Sequence, residues 1–457
     1  MSTVIYVLII SVALSYGWGM RGALIGGEKG ALLPGALLGM FLALFSGIET
    51  LSSSFYIFAA AGAIGMAFGG FEPYAQTMSF ILHKTPDEYS PKKGYAGLAL
   101  KGALWFGIAG VILGITFSAV SGYIYSVYEL IIFAVLIPFV QALGVRIFNK
   151  PYDKAKGVFP KLYFSLSSRE EWGGNLLMLT SSLIFVLIKG DYCAALFSLT
   201  GIVGGAVGWI IAIYFYDKVN RPLKSGKYIF GKANKNGYID GWKIMEFTLG
   251  AVNGLGFAAF FFLSKGSLLK TQTALLSTGI KDRMGGFSDW AAVITAVLIL
   301  LSSLQYAVEY CRRKKGKETD AHIFELIERP LFLSIPLMFI WLGSQSVAQL
   351  YCVFVLLYVG LEQVIFDRSK ELSKTGRAAL CAVCVLMCAA SVAYCFLGFE
   401  KLLTVSLILY TLVYILMQYI LDIIRLITKK EVDKGSITVG VYFAVQSAIL
   451  IYAALIK

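Results

Sequence analysis

The sequence predicts an all-α, polytopic integral membrane protein with about 14 transmembrane helices. Two observations on composition support this class: 58% of the 457 residues are hydrophobic, and only 15% are charged. A third is that apolar runs recur along the chain at the length of about 20 residues that a helix needs to cross ~30 Å of hydrocarbon. Inside a bilayer, helices satisfy their own backbone polar groups, whereas open sheets do not. The chain is therefore expected to be a helical bundle in lipid.

The predicted spans follow the apolar runs. The first run, from Val4 to Tyr16, has no basic flank before it and no small-residue cleavage site after it, so we expect a retained span rather than a signal peptide. The spans are placed near 4–22, 28–48, 55–83, 97–122, 126–148, 171–189, 192–217, 241–264, 287–309, 330–345, 348–366, 376–397, 401–426 and 436–456.

Basic residues alternate along the loops between these spans. Loops rich in Lys and Arg are 84–96, 149–170, 218–240, 310–329, 367–377 and 427–435. Because Lys and Arg accumulate on the cytoplasmic side, these loops are predicted to be cytoplasmic, with both termini outside, in a multi-pass protein of the cell membrane. One predicted outside loop, 265–286, departs from the rule because it carries Lys265, Lys270, Lys281 and Arg283.

The net charge of +13 is explained by the same basic loops, and we expect no nucleic-acid partner. Four of the seven cysteines have helical spacing on one face of a predicted span. That spacing fits either a soft-metal site or close packing between helices, and the second is much commoner. We therefore predict no metal site and no cofactor. The four cysteines are Cys381, Cys384, Cys388 and Cys395.

An internal parallel duplication is predicted from matches at an offset of 143 residues. AGAIG at 61–65 matches GGAVG at 204–208, and the same offset pairs Glu28 with Glu171. Chance matches among 47 glycines are the alternative. Two copies of four spans would share one orientation in the membrane. The predicted units are a first span with a glycine-rich turn (1–27), repeat 1 (28–148), a basic loop (149–170), repeat 2 (171–309), a basic loop (310–329) and a five-span region (330–457).

The stretch YGWGMRGALIGGEKGALLPGALLG, residues 16–39, combines eight glycines with three charged residues. Exposed backbone N–H groups at a glycine-rich helix start attract anions, and Arg21 lies close in sequence. We therefore predict Arg21, Glu28 and Glu171 as substrate-binding residues. The alternative for both glutamates is helix capping: an acid in the first turn complements the helix dipole, and Ser168 has capping-box spacing to Glu171.

Glu72, in GGFEPYAQT, lies about eleven residues from the cytoplasmic end of the third predicted span, which places it near the bilayer midplane. A carboxylate there is costly and usually functional. Gly69, Gly70 and Pro73 around it predict a broken helix, a common element of transporter sites. We predict Glu72 as the site that couples a proton or cation. The alternative is a carboxyl group neutralised by protonation or paired with Arg21 or Lys101.

Glu246 and Asn253 stand seven residues apart on one predicted helix, so they share a face. We predict both as substrate-binding residues that line a polar stripe. Placement of Glu246 at the interface, near a snorkelling Lys243, is the alternative.

These features favour a secondary transporter, coupled to protons or cations, for a small polar or anionic solute. Its expected partners are the lipid bilayer, the solute and the coupling ion. The alternative is a membrane-embedded flippase or transferase that acts on a lipid-linked substrate, with Glu49 or Glu246 as the acid. A structural subunit of a membrane complex is a third possibility.

Overall fold

The computed structural model describes residues 3–24, 30–70, 72, 74–82, 89–153, 155–165, 170–223, 225–314, 329–366 and 434–456. These ranges are almost entirely helices and short connections, and they contain no β-strand. The predicted all-α class is therefore confirmed for the described part of the chain.

Twelve main helices are described, with bounds set by the apolar runs. They are α1 (Thr3–Leu24), α2 (Leu32–Leu44), α3 (Phe55–Gly69), α4 (Pro91–Val120), α5 (Val127–Phe148), α6 (Trp172–Ile188), α7 (Tyr192–Asn220), α8 (Gly241–Ser264), α9 (Ser288–Lys314), α10 (Ile335–Trp341), α11 (Gln345–Phe366) and α12 (Lys434–Ile456). A π-helical turn, Pro330–Ser334, directly precedes α10. Shorter helices in the connections are Glu49–Ser53, Ser79–Leu82, Gly231–Lys235 and Lys270–Leu276, with a 3₁₀ turn at Gly285–Phe287.

Six of the described helices are long and apolar enough to cross a membrane: α1, α4, α5, α7, α8 and α12. This supports a transmembrane protein. Six further apolar stretches of helix, of 10–17 residues, lie among the described residues. The prediction of about 14 spans is not confirmed, and the predicted spans 376–397 and 401–426 lie outside the described residues.

Two predicted spans are shorter in the structure than in the sequence interpretation. The span at 28–48 corresponds to α2, whose 13 residues extend about 20 Å, too short for a straight crossing of the hydrocarbon layer. Within the predicted span 55–83, helix α3 ends at Gly69. In the described remainder of that span there is one short helix, Ser79–Leu82. Helix α3 stops where two glycines and a proline had predicted a break.

Close antiparallel helix pairs form the centre of the bundle. In the α4–α7 pair, Gly102 lies against Gly205 and Gly110 against Phe197, so residue numbers rise along one helix as they fall along the other. A methyl group at Gly102 or Gly205 would clash with the backbone of the facing helix. Glycine contacts of the same kind join α2 to α3, α1 to α8 and α5 to α6. Glycine is thus required where these backbones meet, a common mode of helix packing in membranes.

The connection between α8 and α9 uses its basic residues to cap helices. The ammonium of Lys265 donates to the carbonyl of Ser46, just beyond the end of α2. The guanidinium of Arg283 donates to the carbonyls of Tyr125 (2.8 Å) and Ala119 (3.2 Å), at the end of α4. Cations at helix C-termini are stabilised by the helix dipole. The loop 265–286 departs from the alternating charge pattern because it carries four basic residues. Two of them, Lys265 and Arg283, are explained by these contacts with carbonyls at or near helix ends.

The packing does not confirm the predicted duplication. In the first proposed copy α2 packs extensively on α3, whereas the corresponding helix of the second copy, α6, packs mainly on α5 and contacts α7 only slightly. The matches in sequence are therefore not accompanied by matching helix pairs at this position.

Candidate functional site

Buried polar side chains gather at one end of the bundle. That end is formed by the C-terminal ends of α1, α3 and α5 together with the N-terminal parts of α4, α6 and α8, which antiparallel packing brings together. It is the end that the charge pattern predicts to be cytoplasmic. Three groups of contacts occur there, which we call the Arg21 cluster, the Glu72 cluster and the Gln141 cluster.

The Arg21 cluster consists of Arg21, Tyr74, Trp242, Lys243 and Glu246. Arg21, in the last turn of α1, is only 4% exposed and donates from Nη1 to the hydroxyl of Tyr74 at 3.0 Å. The hydroxyl of Tyr74 in turn makes a long hydrogen bond of 3.4 Å to Oε1 of Glu246. Two residues predicted as substrate-binding, Arg21 and Glu246, are therefore brought together by a tyrosine.

Aromatic rings surround the guanidinium of Arg21. Its Cζ atom lies 5.1, 5.0 and 4.9 Å from the ring centroids of Trp18, Tyr74 and Trp105. Trp105 is itself held by a hydrogen bond of 2.7 Å from its indole N–H to the carbonyl of Met66. Cations within about 6 Å of aromatic faces are attracted by the ring electrons, more strongly when water is excluded. The rings thus provide an apolar enclosure that tolerates a buried positive charge.

Glu246 has three partners in the first turns of α8 and the connection after α3. Oε1 accepts from the indole N–H of Trp242 at 2.8 Å, and Oε2 lies 2.8 Å from the ammonium of Lys243. Lys243 also donates to the carbonyl of Gly19 on α1, at 2.9 Å. Lys243 and Glu246 are both buried within the protein. The ammonium of Lys243, which Glu246 holds, joins α8 to α1.

The Glu72 cluster consists of Glu72, Lys101, Glu170 and Glu171. Oε1 of Glu72 lies 2.6 Å from the ammonium of Lys101, and both side chains are fully buried. Oε2 of Glu72 accepts the backbone N–H of Glu171 at 2.9 Å. Of the alternatives for Glu72, the structure shows pairing with Lys101. This ion pair links the connection after α3 to α4 and to the start of α6.

Glu171 is the N-cap residue of α6, but its side chain makes no capping hydrogen bond. Its backbone N–H, rather than its carboxylate, makes the contact to Glu72, and the substrate-binding role of Glu171 stays a prediction. The adjacent Glu170 is 3% exposed and accepts the backbone N–H of Phe164 at 2.8 Å. Burial raises the pKa of the Glu170 carboxyl, and the ammonium of Lys101 acts in the opposite direction.

The Gln141 cluster consists of Gln141, Asn175 and Arg329. Gln141 donates to Oδ1 of Asn175 at 2.6 Å and accepts from Arg329 at 3.1 Å. Asn175 donates to the carbonyl of Gly69 at 2.9 Å. The carbonyls at the end of α3 lack partners within their own helix. A buried amide from α6 supplies one, as expected for polar residues between membrane helices.

Asn253 and Glu28 are not placed in these clusters. Asn253 is buried two turns beyond Glu246, where it donates to the carbonyl of Leu249 at 2.9 Å and packs against Gly204 and Gly208 of α7. Glu28 lies outside the described residues, as do the four cysteines with helical spacing. Glu49 is exposed in a short helix at the opposite end of α2.

The structure adds residues that were not predicted from sequence. Tyr74 and Trp105 contact Arg21, and Glu170 joins the Glu72 cluster. Local signals were present: Tyr74 stands two residues after Glu72, and Glu170 directly precedes Glu171. No local signal pairs Arg21 with Trp105, because the two are distant in sequence.

No family model, curated protein or solved structure matches this chain. Function must therefore be inferred from the arrangement of the site itself.

Proposed function

We propose that the protein is a membrane transporter for a small polar or anionic solute, and that the Arg21 cluster is its solute site. The supporting observation is a buried guanidinium, enclosed by three aromatic rings, at the point where α1, α4 and α8 meet the connection after α3. A guanidinium offers planar, paired donors that match carboxylate and phosphate groups. Buried ionisable residues within membrane helices commonly mark pathways for polar solutes.

Glu72 is proposed to couple transport to a proton or cation through its contact with Lys101. The ion pair holds three elements together, because Glu72 also accepts the backbone N–H of Glu171. Protonation of Glu72 would remove the negative charge that holds Lys101 and would weaken the junction between α4 and α6. Uptake of a proton at Glu72 could thus change helix packing beside the Arg21 cluster.

The first experiment measures uptake by reconstituted vesicles of a panel of labelled small carboxylates and phosphate esters. We expect at least one solute to accumulate above the level in protein-free vesicles, and Arg21→Lys to reduce that uptake by about tenfold or more, because the paired donors are lost. Arg146→Gln is the matched control, since Arg146 is an exposed arginine near the same end of the bundle. Unchanged uptake in a folded Arg21→Lys protein would exclude the proposed site.

The second experiment tests coupling with Glu72→Gln in the same vesicles. Uptake should lose its response to an imposed pH or sodium gradient while the unstimulated rate remains measurable. If the variant keeps the full response to both gradients, Glu72 is not the coupling residue. Exchange of a fluorescent lipid between leaflets is followed in parallel, because the alternative of a lipid-linked substrate predicts lipid movement and no solute uptake.

A further inference from the structure

A partly open cleft of about 490 Å³ lies between α8 and α12, beside the Arg21 cluster. Its volume is within the range of small-molecule sites, roughly 300–1,000 Å³. Most of its lining is apolar, and it includes five aromatic residues: Phe215, Phe230, Tyr238, Phe247 and Tyr442. Such a cleft can accept an organic molecule with a large apolar surface.

Among the residues that the structure describes, two charged ones line the cleft, Asp240 and Lys243. The ammonium of Lys243 contacts Glu246 and the carbonyl of Gly19, and Lys243 is 8% exposed, so its positive charge is directed into the bundle. Asp240 is half-buried and forms no ion pair within the described part of the chain. Among the described residues that line the cleft, the charge that faces it is therefore negative.

The carboxylate of Asp240 also accepts the backbone N–H of Lys243 at 3.1 Å, as the N-cap of α8. A helix N-terminus carries roughly half a positive charge, which is less than the unit negative charge of an ionised carboxylate. The capping contact therefore offsets only part of the charge of Asp240. An excess of negative charge stands beside aromatic walls, the combination that recognises organic cations.

We propose that the cleft between α8 and α12 binds a hydrophobic organic cation, with the aromatic rings against its apolar groups and Asp240 as its counter-charge. This is a second site, adjacent to the Arg21 cluster, with which it shares Lys243, and opposite to it in charge preference. The inference does not depend on transport, because binding to the purified protein tests it directly.

The probe is tetraphenylphosphonium, whose binding to the detergent-solubilised protein is measured by equilibrium dialysis. Tetraphenylborate is the matched comparison, since it has nearly the same shape and the opposite charge. We expect the phosphonium to bind at least about tenfold more tightly than the borate, a difference of about 1.4 kcal/mol. Equal binding of the two ions, or tighter binding of the borate, would overturn the proposal and would indicate a purely apolar cleft.

Asp240→Asn is the decisive variant, because Asn is about as good an N-cap as Asp and so keeps the start of α8 while removing the charge. It should weaken phosphonium binding several-fold and leave borate binding equal or stronger. Tyr442→Ala should weaken phosphonium binding, whereas Tyr452→Ala, at a residue 69% exposed on the same helix, should not. Phosphonium binding that is unchanged in Asp240→Asn would contradict the assigned counter-charge.

Discussion

The carboxylate of Glu72 and the ammonium of Lys101 lie 2.6 Å apart, and neither side chain is exposed. Removal of one partner from a buried ion pair leaves the other charge without compensation, which typically costs about 3–5 kcal/mol. We therefore expect Glu72→Gln and Lys101→Met each to lower the melting temperature of the purified protein substantially. The double variant Glu72→Gln/Lys101→Met should recover much of the loss, because both charges of the pair are removed together.

The pair between Lys189 and Glu129 is the matched comparison, since those side chains are 27% and 35% exposed. Exposed pairs contribute about 0–1 kcal/mol, so Lys189→Met should change the melting temperature little. If the two single variants of the buried pair were as mild as Lys189→Met, the cost assigned to this burial would be wrong.

The surroundings of two glycines, Gly205 on α7 and Gly256 on α8, predict opposite effects on stability when each is replaced by alanine. Gly205→Ala should destabilise the protein by about 1–3 kcal/mol, because the new methyl group meets the backbone of Gly102 on α4. Gly256→Ala meets only the methyl group of Thr200 at 3.8 Å, an ordinary contact, and alanine favours a helix by about 1 kcal/mol over glycine. Thermal unfolding should therefore place Gly256→Ala at or above the wild type and Gly205→Ala below it. The reverse order would refute the proposed packing of α4 on α7.

Asn175 provides a test of the hydrogen bonds that join α6 to the end of α3. Asn175→Ala would leave the Gly69 carbonyl without this partner, at a cost of about 1–3 kcal/mol, whereas the Gln141 amide would keep its hydrogen bond of 3.3 Å to the carbonyl of Phe68. Asn220→Ala is the control, since Asn220 is exposed and donates to the carbonyl of Tyr216 within its own helix. Equal melting temperatures for the two variants would show that Asn175 does not stabilise the junction.

The buried carboxyl group of Glu170 leads us to expect that the stability of the folded protein depends on pH. Because burial raises the pKa of this carboxyl, the folded protein favours its protonated form. The stability contributed by Glu170 is therefore complete below the ordinary pKa of a glutamate and is lost as the pH rises through the raised value. Melting temperatures measured between about pH 4 and pH 8 should fall less steeply for Glu170→Gln than for the wild type.

The comparison for Glu170→Gln is Asp153→Asn, which changes a carboxylate 39% exposed in the same connection between α5 and α6. Its melting temperatures should follow those of the wild type across the range. A Glu170→Gln protein that keeps the slope of the wild type would exclude Glu170 as the titrating group.

Local sequence patterns predicted the helical class and several breaks, because hydropathy and glycine act over a few residues. The end of α3 at Gly69 is an example, since Gly69, Gly70 and Pro73 disfavour continuation of the helix. Helix lengths were less predictable: α2 is shorter than its apolar run, as Phe45, Ser46 and Ile48 remain buried although the helix has ended. The same apolar residues are found in segments buried inside a protein and in helices that contact lipid. The length of an apolar run therefore does not give the length of the helix.

The partners within the site were predicted less completely. Lys101 was one of two cations considered for Glu72, but the contact of Arg21 with Tyr74 depends on how α1 packs against the connection after α3. Such contacts are set by tertiary packing between residues far apart in the chain. The contact of Glu171 was missed for a related reason: the start of α6 was identified from sequence, but the hydrogen bond from the Glu171 backbone N–H to Glu72 was not.

The close glycine contacts between paired helices have a consequence for motion. Where backbones touch without intervening side chains, as in α4–α7 and α2–α3, neither helix can rotate about its own axis or slide without steric overlap. Each such pair is expected to move as one rigid body, so shape changes would be confined to interfaces filled by side chains. The contact of Phe247 on α8 with Phe443 on α12, with ring centroids 5.0 Å apart, is an interface of that second kind.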